Sequence, residues 1–194
     1  MRYIGWWRER GRSGLTVIEL IMVCALIGII AGIAIPRFDI NRYRADAAGR
    51  LLRVLLQEAQ RNAITRQSNV IVSFDLASQR LRIVQDYNNN DTINVTDLIQ
   101  YRKLEEGAHF SKPNWAGISG TVPSASVIGS GLQTVSGMPS VIFQRDGSAS
   151  ADLEIYVSMR DAEPRDYRGV LLTRSTGRND MYKWNGATWL RMTQ

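Results

Sequence analysis

The chain is short of the residues that most often carry chemistry. Its 194 residues include one cysteine and one histidine. A single thiol, Cys24, excludes an intramolecular disulfide, so any folded domain must be held by its core alone. His109 stands alone in "EEGAHFSKP", a stretch that reads as loop, and no zinc-type spacing surrounds it. No phosphate-cradling glycine loop precedes a helix, and the Gly-Ser runs near Ser130 lack the strand-to-helix context of a nucleophile elbow. These absences argue against an enzyme. No internal repeat is visible, and there is only one long apolar run.

That run is the strongest feature present. From Leu15 to Ile35 only Thr16 and Glu19 are clearly polar. As a helix it would be roughly 31 Å long, about the hydrocarbon thickness of a bilayer, which predicts a single membrane span. Before it stand Arg2, Arg8, Arg10 and Arg12 against Glu9. By the positive-inside rule the N-terminus stays cytoplasmic and the rest is exported. The same arginines supply half of the formal net charge of +6. Once they are removed, the basic balance is weak evidence for a nucleic-acid partner.

An ordinary secretory signal places a small-residue cleavage site after its apolar core, and Ala31, Gly32 and Ala34 could mimic one. Here another processing feature, Ser13-Gly14, precedes the run, and a cut there keeps the helix on the mature chain. Glu19 is the second anomaly. A carboxylate at that depth costs about 2.5–3.5 kcal/mol, so it requires a partner or a role unless it lies near the headgroups, protonated or snorkelling.

The stretch "GLTVIELIMVCALIGIIAGIAIP", Gly14 to Pro36, resembles the class III leader and N-terminal helix of type IV pilins and type II secretion pseudopilins. The resemblance implies a cut between Gly14 and Leu15 by a prepilin peptidase, with methylation of the new amine. Leu15 becomes the first mature residue, where the family usually has phenylalanine. Glu19 is then the fifth and Pro36 the twenty-second, both as the family has them. In that reading Glu19 pairs with the free amine of a neighbouring subunit and sets its register in the fibre. The implied segments are a leader at 1–14, a membrane and assembly helix at 15–36, and a periplasmic domain at 37–194. The implied location is the bacterial inner membrane, and the implied partners are other pseudopilins or minor pilins, the peptidase and an inner-membrane assembly platform.

Pro36 should kink the helix rather than end it, because helical periodicity resumes. Ile40, Tyr43, Ala47, Leu51, Val54, Leu55, Glu58 and Asn62 recur at spacings of three and four, with Arg42, Asp46, Arg50, Arg53, Gln57 and Arg61 as the wet face. This predicts an amphipathic helix to about Thr65. From Asn69 the period becomes two. "NVIVSFD" and "RLRIVQD", joined by "LASQ", read as a hairpin, and "SVIFQRDG", "ADLEIYVSM" and "YRGVLLTRS" as later strands. Asn185-Gly186 predicts a type I′ hairpin. Gly117 to Ser140 reads as a long loop with one short strand near 125–128. The expected fold is α+β, a long N-terminal helix on a mostly antiparallel sheet. "VIFQRDG" and "VLLTRSTGR" look like signatures of the GspH/FimT branch, which implies a minor pseudopilin of a type II secretion system.

Two further candidates compete with a purely structural role. "DYNNNDTINVTDL" places Asp86, Asn88, Asn90 and Asp97 at positions one, three, five and twelve of an EF-hand-like or dockerin-like Ca2+ loop. The sixth position is Asp91, where the sharp turn favours glycine. Asn- and Asp-rich turns also form for backbone reasons alone. The other candidate is DNA. FimT-like proteins carry a C-terminal Gly-Arg-x-Arg motif, and the matching positions here read Gly177, Arg178, Asn179, Asp180. Arg174 and Arg178 are the candidate contacts, but an acid replaces the second arginine and would repel phosphate. The expected function is thus a minor pseudopilin; the alternatives are a FimT-like minor pilin that touches DNA and a signal-anchored domain with a calcium loop.

Overall fold

The computed structural model describes residues 14–34, 40–160 and 163–193. They divide into two units, one ending at Asp39 and one beginning at Ile40.

The first unit holds α1, Val17–Ala34, with Glu19 as its one charged residue. Its 18 residues make a helix of roughly 27 Å. Among the described residues, no helix is long and apolar enough to cross a membrane. The expected span runs on to Pro36, which with the expected kink lies outside the described residues. Every side chain from Leu15 to Ile30 is exposed, Leu15 and Val17 at 76% each. The start of α1 is a capping box. The Glu19 N–H donates to Thr16 Oγ1 at 3.3 Å, and the Thr16 N–H donates to Glu19 Oε2 at 3.2 Å.

The second unit opens with α2, Ile40–Arg66. Eleven strands follow: β1 Asn69–Asp75, β2 Arg80–Asp86, β3 Leu98–Lys103, β4 Ala108–Phe110, β5 Val127–Ser130, β6 Gln133–Val135, β7 Met138–Phe143, β8 Asp152–Met159, β9 Arg168–Leu172, β10 Asn179–Trp184 and β11 Trp189–Arg191. All pair antiparallel, in two sheets. One runs β3-β2-β1-β7-β6. The other runs β11-β10-β9-β8, and β4 and β5 share the free edge of β8. The helix packs on β1 of one sheet and on β8, β9 and β10 of the other. The α+β expectation therefore holds, with two sheets under the helix in place of one.

The buried face of α2 overlaps the expected one fully only at Leu55 and partly at Ala47, Leu51 and Asn62. Ala45, Ala48, Gly49, Leu52, Leu55, Leu56, Ala59 and Ala63 are buried, whereas Ile40, Tyr43 and Val54 are more than half exposed. The large apolar residues drew the expected stripe. Small ones define the real stripe, because alanine and glycine let the helix axis approach the sheets closely. Leu52, Leu55 and Leu56 then reach the core, each contributing about 1.5–3 kcal/mol by burial. Asp46, expected on the wet face, pairs with Arg168 of β9, Nε to Oδ1 at 2.5 Å, and only 3% of the arginine side chain is exposed. The Arg168 Nη1 also donates to the carbonyls of Arg165 and Tyr167 at 2.7 and 2.9 Å.

The β1–β2 hairpin forms as read, with Asn69 opposite Asp86 and Asp75 opposite Arg80. Its turn is fixed by Asp75, which accepts the Ser78 N–H at 3.0 Å and the Arg80 Nε–H at 2.9 Å. The Ser78 N–H, then Arg80, hold the buried Asp75 carboxyl down at about 2. The C-terminal hairpin differs from its expectation. It closes through four residues, Asn185–Thr188, with Trp184 opposite Trp189. Asn185 Oδ1 takes the N–H groups of both Ala187 and Thr188 at 2.8 Å, and only Gly186 has a positive φ. A type I′ turn needs two such residues. His109 lies within β4 rather than in a loop, opposite Ser158.

Candidate functional site

Three places hold the residues singled out by the sequence. At the first, Gly14 and Leu15 are exposed, and nothing lies near the position of a Cβ on Gly14. The peptide between them is open to another molecule. Glu19 lies one helical turn away, and its carboxylate turns back to the Thr16 N–H, the residue next to that peptide. The capping box was legible as Thr16-Val17-Ile18-Glu19, a signal passed over in favour of depth in the membrane. It gives Glu19 a local partner in the single chain.

The second place is the loop between β2 and β3. Asp86 is fully buried and Asp97 is 9% exposed. Asp86 Oδ2 accepts the Asp91 N–H at 2.7 Å. Asp97 Oδ1 accepts the Tyr87 N–H at 3.3 Å, and its Oδ2 accepts the Asn94 N–H at 2.7 Å. Asn88 Oδ1 accepts from the Asn90 N–H at 3.2 Å, and Asn90 Oδ1 accepts from the Thr92 N–H at 3.0 Å. Asn89 and Asp91 turn away instead. They bond the backbone N–H and side-chain amide of Asn69, at 2.7 and 2.8 Å. Both have positive φ, so Asp91 adopts at the sixth position the conformation that usually calls for glycine. Ile93 packs on Ile71, Val84, Val135 and Ile142, on the face of the first sheet away from α2. The structure thus brings Asp86, Asn88, Asn90 and Asp97 into one folded loop. Among the described residues, no group of three or more His, Cys, Asp or Glu side chains is placed to hold a metal. The four candidate side chains offer two carboxylates and two amide oxygens, and the loop's third carboxylate, Asp91, bonds Asn69.

The third place is the turn from β9 to β10. Arg174 and Arg178 are both exposed there, but they face different depressions. Arg178 lines a cleft of about 420 Å³ with Arg53, Asp180 and Arg191, whereas Arg174 lines another with Gln144 and Asp152. Asp180 pairs with Arg178 at 3.3 Å and with Arg191 at 2.6 Å. Among the described residues, Tyr156 is the one strongly perturbed phenol. Burial, then its bond to Glu154, pushes it well above the usual tyrosine range. Its oxygen also accepts the Ile118 N–H at 2.9 Å, and Glu154 Oε1 accepts the Ser119 N–H at 2.9 Å. This pair fastens the 117–119 segment to β8.

What these features define is an α+β domain preceded by a capped, exposed apolar helix, with an open peptide at the helix start. No family model matches the chain. Over 108 residues it is 32% identical to the Pilin-like protein PilA1 of Thermus thermophilus, a stretch covering 54% of this chain and 64% of that protein. The chain thus spans less than two-thirds of that relative. The resemblance to type IV pilin-like proteins read from the N-terminal stretch is borne out by this similarity. Two structures of the minor pseudopilin EpsH from the Type 2 Secretion System of Vibrio cholerae superpose with a TM-score of 0.45 at 14% identity. They cover 71% and 72% of this chain and 95% and 94% of theirs.

Proposed function

We propose that this chain is a subunit of a pilin-like fibre, specifically a minor pseudopilin of the GspH type serving a type II secretion system. The observation that carries the reading is the N-terminal arrangement: an open Gly14–Leu15 peptide, Glu19 one turn into the helix, and apolar side chains exposed from Leu15 to Ile30. An exposed apolar surface of this extent requires a cover. Membrane lipid would supply it before assembly, and the helices of sister subunits after it. Cleavage at Gly14 would free an amine beside the Glu19 carboxylate. In the fibre that carboxylate would exchange its capping bond for the charged amine of a neighbour, a stronger, charge-assisted contact. "VIFQRDG" in and after β7 and "VLLTRSTGR" in and after β9 favour the GspH branch. The function is assembly, with no bond made or broken by this chain.

Intact mass tests the reading. The full chain is co-expressed with a prepilin peptidase and extracted from membranes, as wild type and as Gly14→Val. The expected result is loss of residues 1–14 plus gain of one methyl group in the wild type, and an uncut variant. An uncut wild-type chain refutes it. Disulfide or photo-crosslinking of α1 to a sister pseudopilin, lost in Glu19→Ala, then tests assembly.

A further inference from the structure

We infer that the β2–β3 loop is a Ca2+ site held by Asp86, Asn88, Asn90 and Asp97. The inference is independent of the fibre reading.

It starts from an unsatisfied group. Asp86 is completely buried, and its Oδ1 has no hydrogen-bond partner. Its other oxygen holds the Asp91 N–H, so the carboxylate is turned into the loop. Asp97 is almost as buried. Three other aspartates of the domain that are buried or half-buried pair with arginine: Asp46 with Arg168, Asp75 with Arg80, and Asp180 with Arg178 and Arg191. Among the described residues Asp86 and Asp97 have no such ion pair. Two buried carboxylates in one loop without a counter-charge are expensive, and a bound cation removes the expense.

The donor chemistry selects the cation. All four candidate side chains offer oxygen, and none offers sulfur or imidazole, which excludes the softer metals by preference. Positions one, three, five and twelve are filled by side-chain oxygens, and the backbone carbonyl at position seven, Thr92, completes the pattern of a twelve-residue calcium loop. The intervening Asn89 and Asp91 each place Oδ1 on Asn69 and so hold the loop to the start of β1. Each of the four side chains accepts a backbone N–H that orients it, at Asp86 Oδ2, Asn88 Oδ1, Asn90 Oδ1 and both oxygens of Asp97, while Asp86 Oδ1 accepts none and is left for a metal. The Asn90 oxygen also accepts from Thr92 Oγ1 and Asn94 Nδ2, and both would yield to the ion. Ile93 anchors the loop on the sheet, so much of its ordering is present before binding. Only two carboxylates contribute charge. Affinity is therefore expected in the range of extracellular calcium modules, Kd on the order of 10⁻⁴–10⁻³ M.

The test is a calcium titration of the full chain in detergent, stripped with EGTA and followed by thermal unfolding, with Mg2+ as the control cation. The expected result is a rise of roughly 4–7 °C at 10 mM Ca2+, with a much smaller response to Mg2+. Asn88 is exposed, so Asn88→Ala should stay folded in EGTA, and measured from its own EGTA baseline it should need about tenfold more Ca2+ for the same rise. Asp97→Asn, if folded, should lose the rise. No calcium response in the wild type overturns the inference, as does a response equal for Mg2+. An unchanged response in Asn88→Ala places any binding elsewhere and also overturns it.

Discussion

The Asp75→Asn variant isolates one electrostatic contribution to the fold. Asp75 closes the β1–β2 turn, and its carboxyl titrates at about 2 instead of the ordinary 3.8. The main cause is the Ser78 N–H and the second is the Arg80 guanidinium. By linkage, that difference corresponds to about 2 kcal/mol in favour of the folded state when the group is charged. Arg80 is 34% exposed, and solvent screens its share. The asparagine also keeps an acceptor for Ser78. The expected loss at pH 7 is therefore roughly 1–2 kcal/mol, or a melting temperature lower by about 2–8 °C. The sign follows from the depressed value. The stabilisation is fully present above about pH 4, fades as pH falls from 4 towards 2, and is gone once both folded and unfolded carboxyls are protonated. Urea unfolding of wild type and variant, full length in detergent, at several pH values between 2 and 7 measures this gap. A gap that persists unchanged at pH 2, or is absent at pH 7, refutes the reasoning.

Two other substitutions probe the packing. A Cβ on Gly129 would collide with the carbonyl oxygen of Asp152 and come within 2.6 Å of Leu153 Cδ2. Gly129→Ala should peel β5 from β8, costing roughly 2–4 kcal/mol in urea unfolding and exposing the Val127–Ser130 amides to hydrogen exchange; wild-type protection there would contradict it. Asp46→Ala leaves the guanidinium of Arg168 buried without its carboxylate. Because Asp46 is a quarter exposed and two carbonyls still hold Arg168, the loss should be about 2–3 kcal/mol, and the double variant Asp46→Leu with Arg168→Met should recover part of it.

Element type was legible wherever the period was long or the turn chemistry local. Alternation in "NVIVSFD" and "RLRIVQD" places β1 and β2 residue for residue, and Pro-free three-and-four spacing carries α2 to Arg66. The face of α2 was legible only in part, because closeness of approach is a tertiary property and Ala45, Ala48, Ala59 and Ala63 carry little hydropathy. Strand β3 hid for the converse reason. Every residue of "LIQYRK" is exposed at a sheet edge, so no face is marked by burial. Strands β4 and β6 have three residues each, too few for a period. The loop candidate was visible as spacing, and its unsatisfied oxygen was not, since burial of Asp86 depends on what packs around it. The salt links of Asp180 were half visible: the acid was read as a repulsion of phosphate, while its hold on Arg191 requires the β10–β11 pairing.

The two sheets are interleaved along the chain. The first takes β1 to β3 and then waits for β6 and β7; the second begins with β4 and β5 and waits for β8. Ser73, opposite Arg82 in the hairpin, finds its second neighbour only at Ser140, and Phe110 pairs only with Val157. A chain delivered N-terminus first therefore cannot complete the first sheet until Phe143 has emerged, nor the second until Arg191. Such long-range pairing slows folding and leaves β1 and β2 with one open edge meanwhile. Neither half of the chain could be released as a separate folded fragment, and the domain should unfold as one cooperative unit. A truncation anywhere before β8 would leave a chaperone client rather than a smaller protein.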